Sequence, residues 1–351
     1  MNHDHIEPIK IGVSRCLLGH NVRYDGGHSH DPFLTQTLGK FLEYVPVCPE
    51  VECGMPVPRE SVRLVGDVEN PRLMTGKTGI DKTQMMQTWI PQKLKSLENQ
   101  ELCGFIFKNK SPSSGLYRIK VYGEDGQVKS NDGTGLFARA FVRHFPRVPV
   151  EESGRLHDPR LRENFIENIF TLKRWRNVID AFHRHSEPFQ HHFDPDIEND
   201  HQGTSKNKGS SKMGMGILVD FHTKNKLLLL SHSEKIYRQM GRLVADCKSS
   251  PADVLLNEYE MLLLKALGLL TTTKKNINVL QHMMGYFKKQ LDSREKQELL
   301  TNFEHYSKGY VPLIVPITLI RHYVLKYDQP YLSAQTYLNP HPVELKLRNY
   351  Y

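Results

Sequence analysis

Short apolar runs alternate with helical periodicity over the first 145 residues, and that rhythm predicts an α/β unit built on a mostly parallel sheet. Ile9 to Val13, Tyr44 to Val47, Val62 to Val65 and Gly104 to Lys108 read as strands, and Arg118 to Tyr122 and Val128 flank a Gly-Glu-Asp-Gly turn. Pro32 to Leu42, Asp81 to about Leu102, and Gly133 to His144 read as helices. From Ile217 onward the helical spacing takes over. Helices are expected over Phe221 to Cys247, Ala252 to Leu269, Lys274 to Leu291, Ser293 to Ser307 and about Pro316 to Lys326. The expected fold class is therefore an α/β N-terminal domain followed by an all-α helical C-terminal domain.

Between the two patterns, Asp158 to His183 reads as one long amphipathic helix with Pro159 in its first turn. Residues 186–212 are polar, contain Gly and Ser, and show no periodicity, which predicts a flexible linker or insertion. The organisation expected is an α/β domain over 1–150, a bridging helix over 151–185, that linker, and a helical domain over 213–351. A chain of 351 residues is long enough for two such cores. No internal repeat of solenoid length is visible.

Charge adds a bias toward polyanions. Lys and Arg number 47 against 39 Asp and Glu, and residues 216–351 alone hold 18 basic and 12 acidic side chains. A basic helical domain favours phosphate-bearing partners, although an amphipathic bundle with a wet lysine face has the same composition. The N-terminal stretch lacks a basic segment followed by a long apolar run, and the run Leu313 to Ile320 is short and interrupted by Pro316. These features predict a soluble, cytoplasmic protein with no membrane partner. Five cysteines without a secretory signal predict reduced thiols that act as ligands, nucleophiles or core residues.

Two of those thiols leave strands into loops. Cys16 follows the first strand in Ser14-Arg15-Cys16-Leu17-Leu18-Gly19, and Cys48 follows the second in Pro46-Val47-Cys48-Pro49-Glu50. Glu50 sets a carboxylate two residues beyond a thiol, where it can exchange protons beside a metal. A third loop, Lys110-Ser111-Pro112-Ser113-Ser114-Gly115, supplies hydroxyls after another strand. Open α/β sheets place ligands beyond the carboxyl ends of their strands, so the three loops are expected to converge. The bland alternative is that Cys16 and Cys48 are small buried hydrophobes at strand ends, since no CxxC pair is present.

These loops resemble the thiouracil desulfidase family, whose pattern runs S-x-C-L-L-G, R-Y-D-G-G, V-C-P-E and S-P-S-C-G. Residues 8 to about 145 follow it. Segments from Glu151, from Asn278 (N-V-L-Q-H-M-M-G-Y-F) and from Pro312 (P-L-I-V-P) resemble the fused bacterial form, a tRNA 4-thiouridine desulfidase. The resemblance implies a 4Fe-4S cluster held by three cysteines, with one iron open to the sulfur of a thiocarbonyl. It makes Cys16 and Cys48 cluster and metal ligands, and Glu50 and Ser111 the catalytic acid/base and hydroxyl. It also implies tRNA containing 4-thiouridine as the partner, with sulfur removed and uridine left, without net redox change.

The third cysteine of the pattern is Ser114 here. A hydroxyl is a harder and more basic donor than a thiolate, which weakens a cluster. Three outcomes stay open: the Ser114 oxygen ligates, Cys53 or Cys103 stands in, or the site is silent and the chain only binds tRNA. A desulfidase acting on free thiouracil or thionucleosides is a further alternative. Cys247 reads as structural. The histidines at His183, His185, His191, His192 and His201 lie in or near the linker and fix no ligand geometry. Phe221 to Lys226, and Lys274, Lys275, His282, Tyr286, Lys288 and Lys289, combine cations with aromatic rings in a manner suited to RNA.

Overall fold

The computed structural model describes residues 9–186, 207–246, 251–342, 345 and 347–349. The chain forms two compact units, Met1–Ile169 and Phe170–Tyr351. In the first, the elements run β1 (Ile9–Ser14), β2 (Leu42–Val47), α1 (Pro49–Glu52), β3 (Val62–Gly66), β4 (Pro71–Thr75), α2 (Thr83–Glu98), β5 (Gly104–Phe107), β6 (Ile119–Tyr122), β7 (Val128–Gly133), α3 (Leu136–His144) and β8 (Val150–Glu152). Helix α4 (Pro159–Ser186) carries the chain from one unit into the next.

Strands β2-β1-β5-β8 form one sheet, and every pairing in it is parallel. Its central strands are apolar on both faces, as a parallel sheet covered on both sides requires. Ile11, Val13, Phe105, Ile106 and Phe107 are each at most 1% exposed. β1 and β5 approach closely because Gly12 has no side chain: a Cβ there would lie 2.1 Å from the Phe105 ring. That ring stacks on Phe107 at 4.1 Å, and Phe137 and Phe141 of α3 pack on the pair.

A second sheet, β4-β3-β6-β7, was not expected from the apolar pattern. It is mixed, with β3 antiparallel to β4, parallel to β6, and β6 antiparallel to β7. β4 starts on Pro71 and so reads as a breaker, while β7 is an edge strand whose residues 128–132 are mostly exposed and polar. The helix expected over Pro32 to Leu42 is instead one π-type turn and one 3₁₀ turn that bury Leu34 and Leu38. Glycine at 39 permits their close packing, since a Cβ there would sit 2.9 Å from the Leu34 carbonyl oxygen.

The second unit is helical among its described residues: α5 (Asn207–Lys224), α6 (Lys226–His232), α7 (Glu234–Ala245), α8 (Ala252–Leu267), α9 (Thr273–Gly285), α10 (Ser293–Ser307), α11 (Ile314–Lys326) and α12 (Pro330–Ser333). Of the expected linker, residues 187–206 lie outside the described ones, and Asn207 already belongs to α5. Cys247 also lies outside them, as do His191, His192 and His201. The single helix expected over Phe221 to Cys247 divides at Asn225 and Ser233, which precede α6 and α7. The Ser233 hydroxyl accepts from the Ile236 amide at 3.3 Å, a cap that starts a new helix inside a continuous apolar pattern. Trp175, fully buried, stacks on Tyr259 at 4.8 Å to centre this core.

His222 lies beside that centre, stacked on Tyr237 at 5.4 Å and 3.1 Å from the Tyr259 hydroxyl through Nδ1. Burial, aided by the Lys226 charge, pushes its imidazole down to about 4. The fold thus favours neutral His222, so this contribution is complete above the unfolded value near 6.5 and is lost as pH falls toward 4. We expect denaturant unfolding of the second unit to show about 1 kcal/mol less stability from this source at pH 5 than at pH 7, allowing for its partial exposure. His222→Gln should flatten the profile over that window; an unchanged slope would contradict the assignment.

Candidate active site

The carboxyl ends of the parallel sheet open into a cavity of about 370 Å³. Cys16 enters it from the turn after β1, Cys48 from the end of β2, and Ser111 and Ser114 from the loop after β5. Glu50, in the first turn of α1, lines the same space. The five residues singled out by sequence are therefore brought together. Cys53 and Cys103 are not among its lining residues. The Cys53 thiol donates to the Glu50 carbonyl oxygen at 3.2 Å, and Cys103 is buried just before β5, at the opposite end of that strand.

Local structure fixes each thiol. The Cys16 carbonyl oxygen accepts from the amides of Gly19 (3.3 Å) and Ser29 (3.0 Å), which ties the chain just after the R-Y-D-G-G segment to the turn that follows β1. Gly19 adopts a φ of 92°, a conformation that favours glycine. The Cys48 amide donates to Glu52 Oε1 at 2.8 Å, and its thiol approaches the Val22 carbonyl oxygen at 3.9 Å. Burial pushes the Cys16 thiol up to about 11, against the opposing pull of Lys108 and Arg23; Cys48 and Glu50 push it further up. Burial also raises the Cys48 thiol. Both are therefore protonated at neutral pH, and a bound metal would have to displace those protons.

Glu50 is held at both oxygens. Arg59, whose side chain is 5% exposed, donates to Oε2 from Nε at 3.1 Å and also from Nη2. The Ser113 hydroxyl donates to Oε1 at 2.9 Å. Ser111 Oγ lies 3.0 Å from Ser113 Oγ, and because the Ser113 proton is committed to the carboxylate, Ser111 is the donor in that contact. Ser111 Oγ in turn accepts from the Ser114 amide at 3.1 Å. The three hydroxyl and carboxyl groups thus form one directed hydrogen-bond chain that ends on Glu50, with Ser113 as the link.

The cavity wall also carries Arg23, Arg59 and Lys108. Lys108 Nζ donates to the Asn109 carbonyl oxygen and Oδ1 at 3.1 and 2.9 Å, and burial lowers its ordinary value. Arg23 reaches Asp25 at 2.8 Å and Ser29 at 3.2 Å. Sequence reasoning passed over Arg59, Ser113 and Lys108; only Ser113, inside the serine-rich loop, carried a local signal.

Among the described residues, no three His, Cys, Asp or Glu side chains come together as metal ligands do. Beside the two thiols, the cavity wall offers hard oxygen donors, among them Ser114, itself 4% exposed. Two soft donors, one hard donor and a surround of cations suit an anionic, thiophilic metal group rather than a hydrated dication. No helix among the described residues is long and apolar enough to cross a membrane.

In the helical unit, the expected cationic segment from Phe221 to Lys226 buries Phe221 and keeps Lys224 at the surface, where it pairs with Asp220 at 2.7 Å. Lys275 caps the carbonyl oxygens of His232 and Leu270. Lys274, His282, Lys288 and Lys289 stay exposed, and Tyr286, 40% exposed, stacks on Tyr331 at 5.1 Å.

Residues 11–153 match the family model described as 2-thiouracil desulfurase, and residues 226–342 match that of a protein family of unknown function, DUF1722. A solved structure of a [4Fe-4S]-dependent thiouracil desulfidase, TudS, is similar at 28% identity and a TM-score of 0.35, over 43% of this chain and 94% of its own. The uncharacterized protein YbgA of Escherichia coli (strain K12) is 35% identical over 135 residues, which are 38% of this chain and 80% of YbgA. The chain belongs to the YbgA family and joins it to an N-terminal unit that matches the 2-thiouracil desulfurase model.

Proposed function

We propose that this protein removes sulfur from 4-thiouridine in tRNA and leaves uridine, with hydrogen sulfide as the other product. The observation that carries the reading is the meeting of Cys16, Cys48 and the Glu50–Ser113–Ser111 chain in one cavity of a unit that matches the desulfurase model. Cys16, Cys48 and Ser114 would hold a 4Fe-4S cluster. When bound, such a cluster with one open iron supplies a thiophilic Lewis acid that makes sulfur a better leaving group. The overall change replaces C=S by C=O with one water consumed, so no oxidant or reductant is required.

The chain's own residues handle protons and charge. Glu50, anchored through Oε2 by Arg59, keeps Oε1 for exchange with the hydroxyl chain, so a water beside Ser111 can lose its proton toward the carboxylate. Arg59 fixes the carboxylate's direction. Lys108 and Arg23 offset the negative charge of the thiolates and of the departing sulfur. In this reading residues 1–150 are catalytic and the helical residues 213–351 dock the RNA, whose phosphates meet Lys274, Lys288 and Lys289 while Tyr286 offers a ring for stacking. A 4-thiouridine inside folded tRNA needs such a surface beyond the pocket.

Anaerobically purified, cluster-loaded protein should convert 4-thiouridine in tRNA to uridine without added reductant, seen as loss of the thionucleoside absorbance. Faster turnover of free thiouracil than of tRNA, unaffected by removing residues 213–351, would assign the substrate to the free base instead. Glu50→Gln should lower kcat by about 10²- to 10⁴-fold while leaving iron content near the wild-type level. Ser114→Cys should retain iron and acid-labile sulfide about tenfold longer in air, as a softer donor set predicts; identical decay in both proteins would remove Ser114 from the ligand set.

A further inference from the structure

We infer that Glu152, at the end of β8, is a positioning residue that fixes the serine loop and thereby the place of its metal-facing hydroxyl. The inference rests on the cluster reading above and adds a residue that lies outside the cavity lining.

Glu152 is 6% exposed, and its Oε1 accepts from the amides of Leu116 (2.8 Å) and Tyr117 (3.2 Å). Those two amides end the loop that carries Ser111, Ser113 and Ser114. The start of the same loop is held from another side. The carbonyl oxygens of Pro112 and Ser113 accept from the amides of Leu136, Phe137 and Ala138 at the first turn of α3, at 3.0–3.2 Å. Gly135 lies flush against the loop, since a Cβ there would fall 2.5–2.8 Å from the backbone of Ser113 and Ser114. Thr134 closes the ring by donating to the Leu116 carbonyl oxygen at 3.1 Å.

A buried carboxylate needs its charge met. Two backbone amides meet part of it, and Lys108, on the cavity wall, feels the rest. β8 is also the outermost strand of the parallel sheet, paired to β5 with Glu152 opposite Phe107. Glu152 thus couples the edge of the sheet to the loop that faces Cys16 and Cys48. If its only role were to satisfy backbone amides, its loss would lower stability without changing the metal site.

Two conservative variants separate these roles. Glu152→Gln keeps an oxygen where Oε1 accepts, whereas Glu152→Asp keeps the charge but is one methylene too short to reach both amides. After anaerobic reconstitution, hydrogen exchange at Leu116 and Tyr117, iron content, the electron paramagnetic resonance signal of the reduced cluster, and turnover of tRNA containing 4-thiouridine would be compared. We expect Glu152→Gln to match wild type within about twofold in iron content and kcat. Glu152→Asp should lose protection at both amides, retain about tenfold less iron, show an altered resonance signal, and lower kcat about tenfold with KM unchanged. Wild-type iron content and signal in Glu152→Asp would overturn this proposal alone, as would a Glu152→Gln variant that fails in the same way as Asp. A wild-type chain that takes up no cluster would overturn the cluster reading and the ligand-positioning role with it, leaving amide exchange to report a loop clamp only.

Discussion

The ion pair between Arg59 and Glu50 is the constraint on which the site's geometry turns. Both groups are largely removed from water, and a buried carboxylate of this kind is tolerated only with its charge and lone pairs met. Arg59 does more than neutralise. It donates from Nη2 to the Val22 carbonyl oxygen at 3.1 Å, the same oxygen that the Cys48 thiol approaches, and from Nη1 to Pro56 at 3.2 Å. One guanidinium therefore ties the first turn of α1, the loop after Cys16 and the chain leading into β3 to a common point. Because its planar fork has fixed directions, lysine could not replace it.

Electrostatics shape the site in two opposed ways. Burial keeps both cavity thiols protonated, whereas Arg23, Arg59 and Lys108 pull toward anionic occupancy. The cations are held in place by protein contacts of their own. Such preorganisation lowers the reorganisation needed when charge develops during reaction. The second sheet contributes to the wall directly: β3 begins at Val62, which lines the cavity, and follows closely on the Arg59 segment.

Much of this was legible in the amino-acid pattern, and the illegible parts share a cause. Cys16, Cys48 and the serine loop could be placed because each follows a strand, and strand order along the chain carries that information locally. Arg59 meets Glu50 nine residues away and Ser113 meets it sixty-three residues away, so neither contact leaves a periodic trace. Ser111, singled out as the hydroxyl partner of Glu50, reaches it through Ser113. In the second sheet, β3 and the β6–β7 hairpin were legible, whereas β4, which opens on proline, and the division into two sheets were not. In the helical unit, capping by Ser233 interrupted what hydrophobic spacing alone reads as one long helix. The cationic stretch from Phe221 is divided by the fold: packing takes Phe221 and Asn225 inward and leaves Lys224 exposed.

The serine loop separates the path of its backbone from the chemistry of its side chains. Its path is written in main-chain contacts, with carbonyl oxygens on the first turn of α3 and amides on neighbouring side-chain oxygens. Residue 114 therefore holds its position whatever atom its side chain ends in. Oxygen and sulfur at that position differ by one atom, so the donor offered to the cavity can change while the architecture stays put. Shape and donor chemistry are set separately here, and one can be altered without rebuilding the other.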